Sequence, residues 1–292
     1  MNIVQKRKIW FSISGIILII GLVLGLIRGV NVGIDFTGGT LMEIELHKYI
    51  PAKEIREIID KYDKSANISM LGTDKATVQI RMNEDFNNEE RKEIFGEFQT
   101  KYDLDEEDLL RADQFGPSVG KEIKSRALLA IVLSVIGMLA YITFRFEFSF
   151  AISAIMALSH DILIVLAMYS ILQVPINSPF VAAVLTILGY SINDTIVIFD
   201  RIRENFKFTK KIDYEKIANE SIAQSFTRSI NTSLTTLVTL IALYILGVEQ
   251  IGEFALPLIV GVIAGTYSSI FIASPLWVMV KQRQKGKKAR VK

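Results

Sequence analysis

Six apolar runs, each about 18–28 residues long, restrict what this chain can fold into more than any other feature. They cover Ile9–Ile27, Ser125–Phe144, Phe148–Leu172, Pro179–Phe199, Ser229–Leu246 and Glu253–Val280. A helix rises about 1.5 Å per residue, so such runs match the roughly 30 Å apolar core of a bilayer. Half of the 292 residues are hydrophobic, which agrees with that reading. The expected fold is an α-helical polytopic membrane protein with six transmembrane helices. No internal repeat or low-complexity segment divides it further.

The connections set the expected topology. Lys6, Arg7 and Lys8 precede the first run as in a secretory signal, but the run is long enough to span and no A-x-A site follows. Residues 1–29 are therefore expected to be a cytoplasmic N-terminus and an uncleaved first helix. Gly21 and Gly25, and again Gly25 and Gly29, form G-x-x-x-G pairs that let a neighbouring helix approach closely. Gln173–Asn177 and Gly247–Gly252 carry no Lys or Arg, whereas Asp200–Arg228 and the tail from Lys281 carry about seven each. Both termini and the 200–228 loop are thus expected on the cytoplasmic side. Within that loop, Ile217, Ile222 and Phe226 fall at helical spacing, so Tyr214–Phe226 reads either as an amphipathic helix on the membrane surface or as a solvated linker.

Residues 30–122 break the apolar pattern and carry an excess of Asp and Glu. Gly33-Ile34-Asp35-Phe36-Thr37-Gly38-Gly39 is a turn-rich entry, with Asp35, Gly38 and Gly39 as candidate motif positions. Strands are expected over Thr40–Leu46, Asn67–Leu71, Ala76–Met82 and Leu109–Phe115, with a turn at Gly72-Thr73-Asp74-Lys75. Helices are expected over Pro51–Tyr62, with the proline in the first turn, and Asn88–Tyr102. The order β-α-β-β-α-β predicts an α+β ferredoxin-like domain, extracytoplasmic, between helices 1 and 2. Residues 123–280 hold helices 2–6, and 281–292 form a basic cytoplasmic tail.

Ionisable residues inside apolar runs are the candidate functional groups, because each costs roughly 2.5–3.5 kcal/mol at the centre of a bilayer on insertion scales. Asp194 lies about one and a half turns inside the fourth run, before Thr195–Phe199. Arg228 opens the fifth run at similar depth, followed by Asn231, Thr232, Ser233, Thr235 and Thr236. An ion pair between them is one reading; the other has Arg228 reaching the lipid headgroups while Asp194 caps a neighbouring helix. His160 and Asp161 sit mid-run in the third span, either as a proton relay or as a hydrogen-bonding helix contact. Side chains of adjacent helical residues point about 100° apart, so these two need not touch. Asp200, with Arg201 and Arg203, reads as a border cluster. Gly261 and Gly265, with Thr266, Ser268 and Ser269, form a small-residue packing face, and Pro257 and Pro275 are candidate kinks.

Several classes drop out. The absence of cysteine excludes disulfides and thiolate metal sites, and the two histidines are too scattered for zinc. There is no phosphate loop, nucleophile elbow or catalytic carboxylate pair, so neither enzymatic activity nor a cofactor is expected. The basic tail fits an orientation signal or lipid contact rather than nucleic acid. The Asn67 and Asn219 sequons are chance matches.

Five segments together resemble the SecF family of the bacterial Sec preprotein translocase. They are GIDFTGG from Gly33, GPSVG from Gly116, His160-Asp161, GYSINDTIVIFDRIREN from Gly189, and ALPLIVGVIAGTYSSIFIASP from Ala255. The likeness spans essentially the whole chain, and the Gly189–Asn205 match is the strongest. It implies membership of the resistance-nodulation-division superfamily, with SecD as partner in a pseudo-symmetric twelve-helix unit. The implied role is to use the proton-motive force to help draw preproteins through the SecYEG channel after SecA has acted. The family's proton-pathway aspartate falls on Asp194 and its essential arginine on Arg228. Sodium coupling, a passive assembly subunit and one half of a small-molecule exporter are the alternatives; the single small external domain argues against the last.

Overall fold

Each of the six apolar runs forms a helix long and apolar enough to cross a membrane. The computed structural model describes residues 2–72, 75–208, 213–246 and 249–290. It separates the chain into one unit of Met1–Asn31 with Leu129–Lys292 and a second of Val32–Leu128. Thr73 and Asp74 of the expected turn, Lys210 and Lys211 of the basic loop, Gly247 and Val248, and the tail's last two residues lie outside the described residues.

The chain runs from α1 (Arg7–Arg28) into the smaller unit, which holds α2 (Ile34–Thr37), β1 (Gly39–Glu45), α3 (Ala52–Ile59), β2 (Asn67–Leu71), β3 (Thr77–Met82), α4 (Asn88–Tyr102), a 3-10 turn and β4 (Leu109–Phe115). The strands are antiparallel throughout, in the order β2-β3-β1-β4. That is the order a split βαβ chain generates. Alternation puts Met42, Ile44, Val78, Ile80 and Met82 into a common core with Ile55 and Ile59 of α3 and Ile94 and Phe98 of α4. Glu43 and Gln79 occupy intervening positions on neighbouring strands, and Gln79 Nε2 donates to Glu43 Oε1 at 2.8 Å. Pro51 precedes the first turn of α3 with ψ at 137° instead of entering it. Asn87 and Glu90 make a capping box at the start of α4, which fixes that boundary. Gly39 has φ of +125°, and a Cβ there would run into the carbonyl oxygen of Met82, so both conformation and space demand glycine.

The chain continues with α5 (Pro117–Arg145), which enters the larger unit at Leu129, and the larger unit then holds α6 (Phe148–Leu172), α7 (Ser178–Phe208), α8 (Tyr214–Leu246), α9 (Glu249–Ser268) and α10 (Ser274–Arg290). Glycines set its close approaches. Gly21 lies against Ala167 of α6, and a Cβ on Gly25 would come 2.7 Å from Ser170 Oγ, while Gly29 faces open space. Gly261 meets Ile187 of α7, and a Cβ on Gly265 would lie 2.8 Å from Ser191 Cβ.

Two expectations change here. Tyr214–Phe226 is helical with Ile217, Ile222 and Phe226 turned to the core as expected, but it is not a separate segment: α8 is one helix of 33 residues, about 50 Å long. No Gly or Pro interrupts it, and its first turns bury Ile217, Ala218 and Ile222. Asn219 Oδ1 accepts from the backbone N–H groups of Ile3 and Val4 at 2.9 and 3.1 Å, tying the N-terminal segment to this end. The second change concerns the last span, where a π-helical turn, Ser269–Ala273, separates α9 from α10. Pro275 cannot donate to the Phe271 carbonyl four residues earlier, which favours the wider turn just before it.

Candidate functional site

Along α7, Ser191, Asp194 and Thr195 are three and four residues apart and so share one face. That face meets the stretch Gly265-Thr266-Tyr267-Ser268-Ser269 at the end of α9. Thr195 Oγ1 and Ser269 Oγ are 2.8 Å apart, and Gly265 lets α9 close on Ser191. The result is a seam of hydroxyl groups inside an otherwise apolar bundle, with one carboxyl group on each side.

Asp161, from α6, is completely buried. Its Oδ2 accepts from Ser191 Oγ at 2.6 Å and Ser268 Oγ at 2.9 Å. Its Oδ1 lies 3.0 Å from His160 Nδ1, and His160 Nε2 lies 2.9 Å from Ser14 Oγ of α1. The Tyr267 ring stacks over the imidazole at 6.1 Å. Four helices are therefore joined through the His160–Asp161 pair. His160 and Asp161 do touch, because each rotates toward the other from its own side of α6.

Asp194 is 3% exposed and has two hydroxyl neighbours, both on α8. Thr232 Oγ1 is 3.5 Å from Oδ1 and Ser233 Oγ is 3.3 Å from Oδ2. Both contacts are at or beyond the long end of the hydrogen-bond range. Ser233 turns its shorter interaction, 2.6 Å, toward Thr266 of α9. Arg228 makes no ion pair with Asp194 within 4.0 Å among the described residues. Its exposed side chain lies one helical turn before Thr232, which donates to the Arg228 carbonyl oxygen at 3.1 Å. Counting residues placed the two at similar depth; the hydroxyls of Thr232 and Ser233 take the direct contacts.

The remaining candidates fall outward. Asp200 pairs with Arg203 at 2.6 Å, Arg201 pairs with Glu204 at 2.6 Å, and all four side chains are substantially exposed. Asp35, in the short α2, is 9% exposed. Gly38 and Gly39 follow it with positive φ. Ser14, Ser191, Thr232, Ser233, Thr266 and Ser268 were not read as partners of either acid. Spacing puts Ser191 on the face of Asp194 but does not signal that it binds Asp161, and a lone serine such as Ser14 in α1 carries no signal.

Comparison with known proteins now bears on the arrangement. The family profile described as "Protein export membrane protein SecD/SecF, C-terminal" matches residues 96–283, and "SecD/SecF GG Motif" matches residues 15–49. The protein translocase subunit SecF of Sebaldella termitidis is 38% identical over 302 residues, covering 99% of this chain and 97% of its own. The chain belongs to the SecF family. A second SecF relative, from Calditerrivibrio nitroreducens, is also 38% identical and covers 98% of this chain and 95% of its own. The SecDF subunit of Bacillus subtilis is 34% identical over 96% of this chain. The solved structure of SecDF from Thermus thermophilus, a translocon-associated membrane protein, superposes with a TM-score of 0.88 at 33% identity over 97% of this chain. This SecF-type chain spans 38–39% of those SecDF chains. Its family and its six apolar helices make it a multi-pass membrane protein, and its relatives place it in protein translocation. Gly38 and Gly39 fall inside the segment matched by the GG-motif profile.

Proposed function

We propose that this chain is the SecF half of a SecD–SecF unit in the bacterial cytoplasmic membrane, which uses the proton-motive force to help complete preprotein translocation through SecYEG after the ATP-dependent step of SecA. The observation that carries the reading is Asp194: a carboxyl group inside the bundle with two long hydroxyl contacts and no ion pair among the described residues. An acid kept at that cost and held so loosely suits a group that gains and loses a proton. Arg228, one turn away on α8, senses its charge without being locked to it. His160 and Asp161 take the holding role, joining α1, α6, α7 and α9.

The partner reading rests on the relatives in which SecD and SecF are named together in one chain. It is supported by α8, which leaves Thr232 exposed beside Asp194 and Leu234 and Val238 exposed beyond it. The excess of Lys and Arg in 200–228 and after 281 supports cytoplasmic termini, which puts the domain of residues 30–122 on the opposite side.

Replacing Asp194 with Asn keeps the shape and removes the titration. Export stimulated by an ion gradient should fall to the level without a gradient, while co-purification with the SecD-type partner is unchanged. Full gradient-dependent export by the variant would overturn the assignment and favour a passive subunit.

A further inference from the structure

Four serines on α8, Ser221, Ser225, Ser229 and Ser233, recur every fourth residue, and all are buried, at 0, 6, 1 and 4% exposure. They cover about 18 Å of helix. At the inner end Ser233 touches Asp194 at 3.3 Å. At the outer end Ser221 Oγ accepts from Asn205 Nδ2 at 2.8 Å, and Asn205 also donates to Gln224 Oε1 at 2.9 Å. Gln224 is exposed and accepts from Arg201 Nε at 2.7 Å. The serines thus connect the buried acid to the charged border of the bundle.

Serine repeats at this spacing also occur simply to let helices pack, and then each hydroxyl satisfies itself on its own backbone. Ser221 and Ser233 do so, donating to the carbonyl oxygens of Ile217 and Ser229 at 2.8 Å. Ser229 does not. Its Oγ is buried and without a hydrogen-bond partner among the described residues. Native interiors leave few such groups dry, and an unpartnered, 1% exposed hydroxyl inside a row of hydroxyls marks a place that water fits.

We propose that Ser221, Ser225, Ser229 and Ser233 line a hydrated path that carries the coupling ion between Asp194 and the Arg201–Asn205–Gln224 border. This rests on Asp194 being the ion-carrying acid. Water along the row relays a proton from one hydroxyl to the next, and the walls are apolar, so traffic is confined to the serine side of α8.

The chain has no cysteine, so each single replacement is a unique probe. Ser221→Cys, Ser225→Cys and Ser229→Cys are assembled with the partner subunit in membrane vesicles and treated with methanethiosulfonate ethylammonium from the Gln224 side. Modification should slow in that order and remain at least about tenfold faster at Ser229→Cys than at Ile198→Cys, a fully buried apolar control. Background rates at Ser225→Cys and Ser229→Cys would overturn the path. Ser229→Leu, which blocks the row, should abolish gradient-driven export with co-purification retained, and Ser229→Ala should slow it several-fold. Normal export by Ser229→Leu would overturn the path and leave Asp194 in its role, whereas normal export by Asp194→Asn would bring down both. Proton and sodium gradients applied separately to the same variants identify the ion.

Discussion

Asp161 and Asp194 lie on adjacent helices, are both buried, and are held in opposite ways. Asp161 has three side-chain partners within 3.0 Å, contributed by His160, Ser191 and Ser268. Asp194 has two, at 3.3 and 3.5 Å, both from α8. One end of α9 serves both sites: Ser268 donates to Asp161, while Thr266 meets the serine beside Asp194. A carboxyl group with every oxygen engaged fixes the helices around it. One with long contacts is held less firmly, so the bundle combines a tightly held acid and a loosely held one across a single five-residue stretch.

The contrast fails if the two sites contribute equally to stability. Asp161→Ala leaves His160, Ser191 and Ser268 without their common partner and should cost about 3–5 kcal/mol, as removal of one member of a buried polar network does. Asp194→Ala should cost about 1 kcal/mol, the net worth of a weak pair of contacts. Thermal unfolding of the two purified variants tests this, and an equal or reversed loss would break the distinction.

Much of this was open to a reader of the sequence. Length and hydropathy alone define six spans, because an 18–28-residue apolar run has one solution in a bilayer. Alternation located β2 at Asn67–Leu71 with the ends observed. Depth along a helix is countable, so Asp194 and Arg228 were placed at similar height. Rotation about the axis is not countable in that way: it depends on how α8 packs on α7, which the sequence does not show. For that reason Thr232 and Ser233, not Arg228, met the acid. The continuity of α8 was hidden because a charged, polar first half reads as a separate segment when burial against Ile3 and Val4 is out of view.

Gly265 sharpens the comparison at the next lower magnitude. A methyl group there would stand 2.8 Å from Ser191 Cβ and 3.3 Å from Ser191 Cα, so backbone would have to yield. Gly265→Ala should cost about 1–3 kcal/mol, as overpacking a filled interior does. The harm should be centred on Asp161, because Ser191 is its shortest partner. Combining Gly265→Ala with Ser191→Ala should then be less than additive in thermal unfolding, whereas combining it with Ser233→Ala should be close to additive.

The smallest effect comes from a third acid, Asp63, in the unit that carries the sheet. Its carboxylate accepts from Ser65 N–H at 2.7 Å, Ser65 Oγ at 2.5 Å and Asn83 N–H at 2.7 Å. Burial pushes this carboxyl group up, but the bonds from the Ser65 hydroxyl and from the Asn83 and Ser65 amides outweigh it, leaving the pKa below the ordinary value. A folded pKa depressed below the unfolded value of about 3.9 stabilises fully above that value and is lost as pH falls through the folded one. Amide exchange at Ser65 and Asn83 should therefore be flat from about pH 7 to 4, after correction for intrinsic rates, and protection should fall only in stronger acid. Asp63→Ala should remove that acid dependence. Asp63 shares with Asp161 short bonds that favour one fixed geometry, although it stands outside the apolar spans. If its protection instead faded near neutral pH, short hydroxyl and amide contacts would no longer distinguish a tightly held acid from a loosely held one, and the reading of Asp194 would lose its basis of comparison.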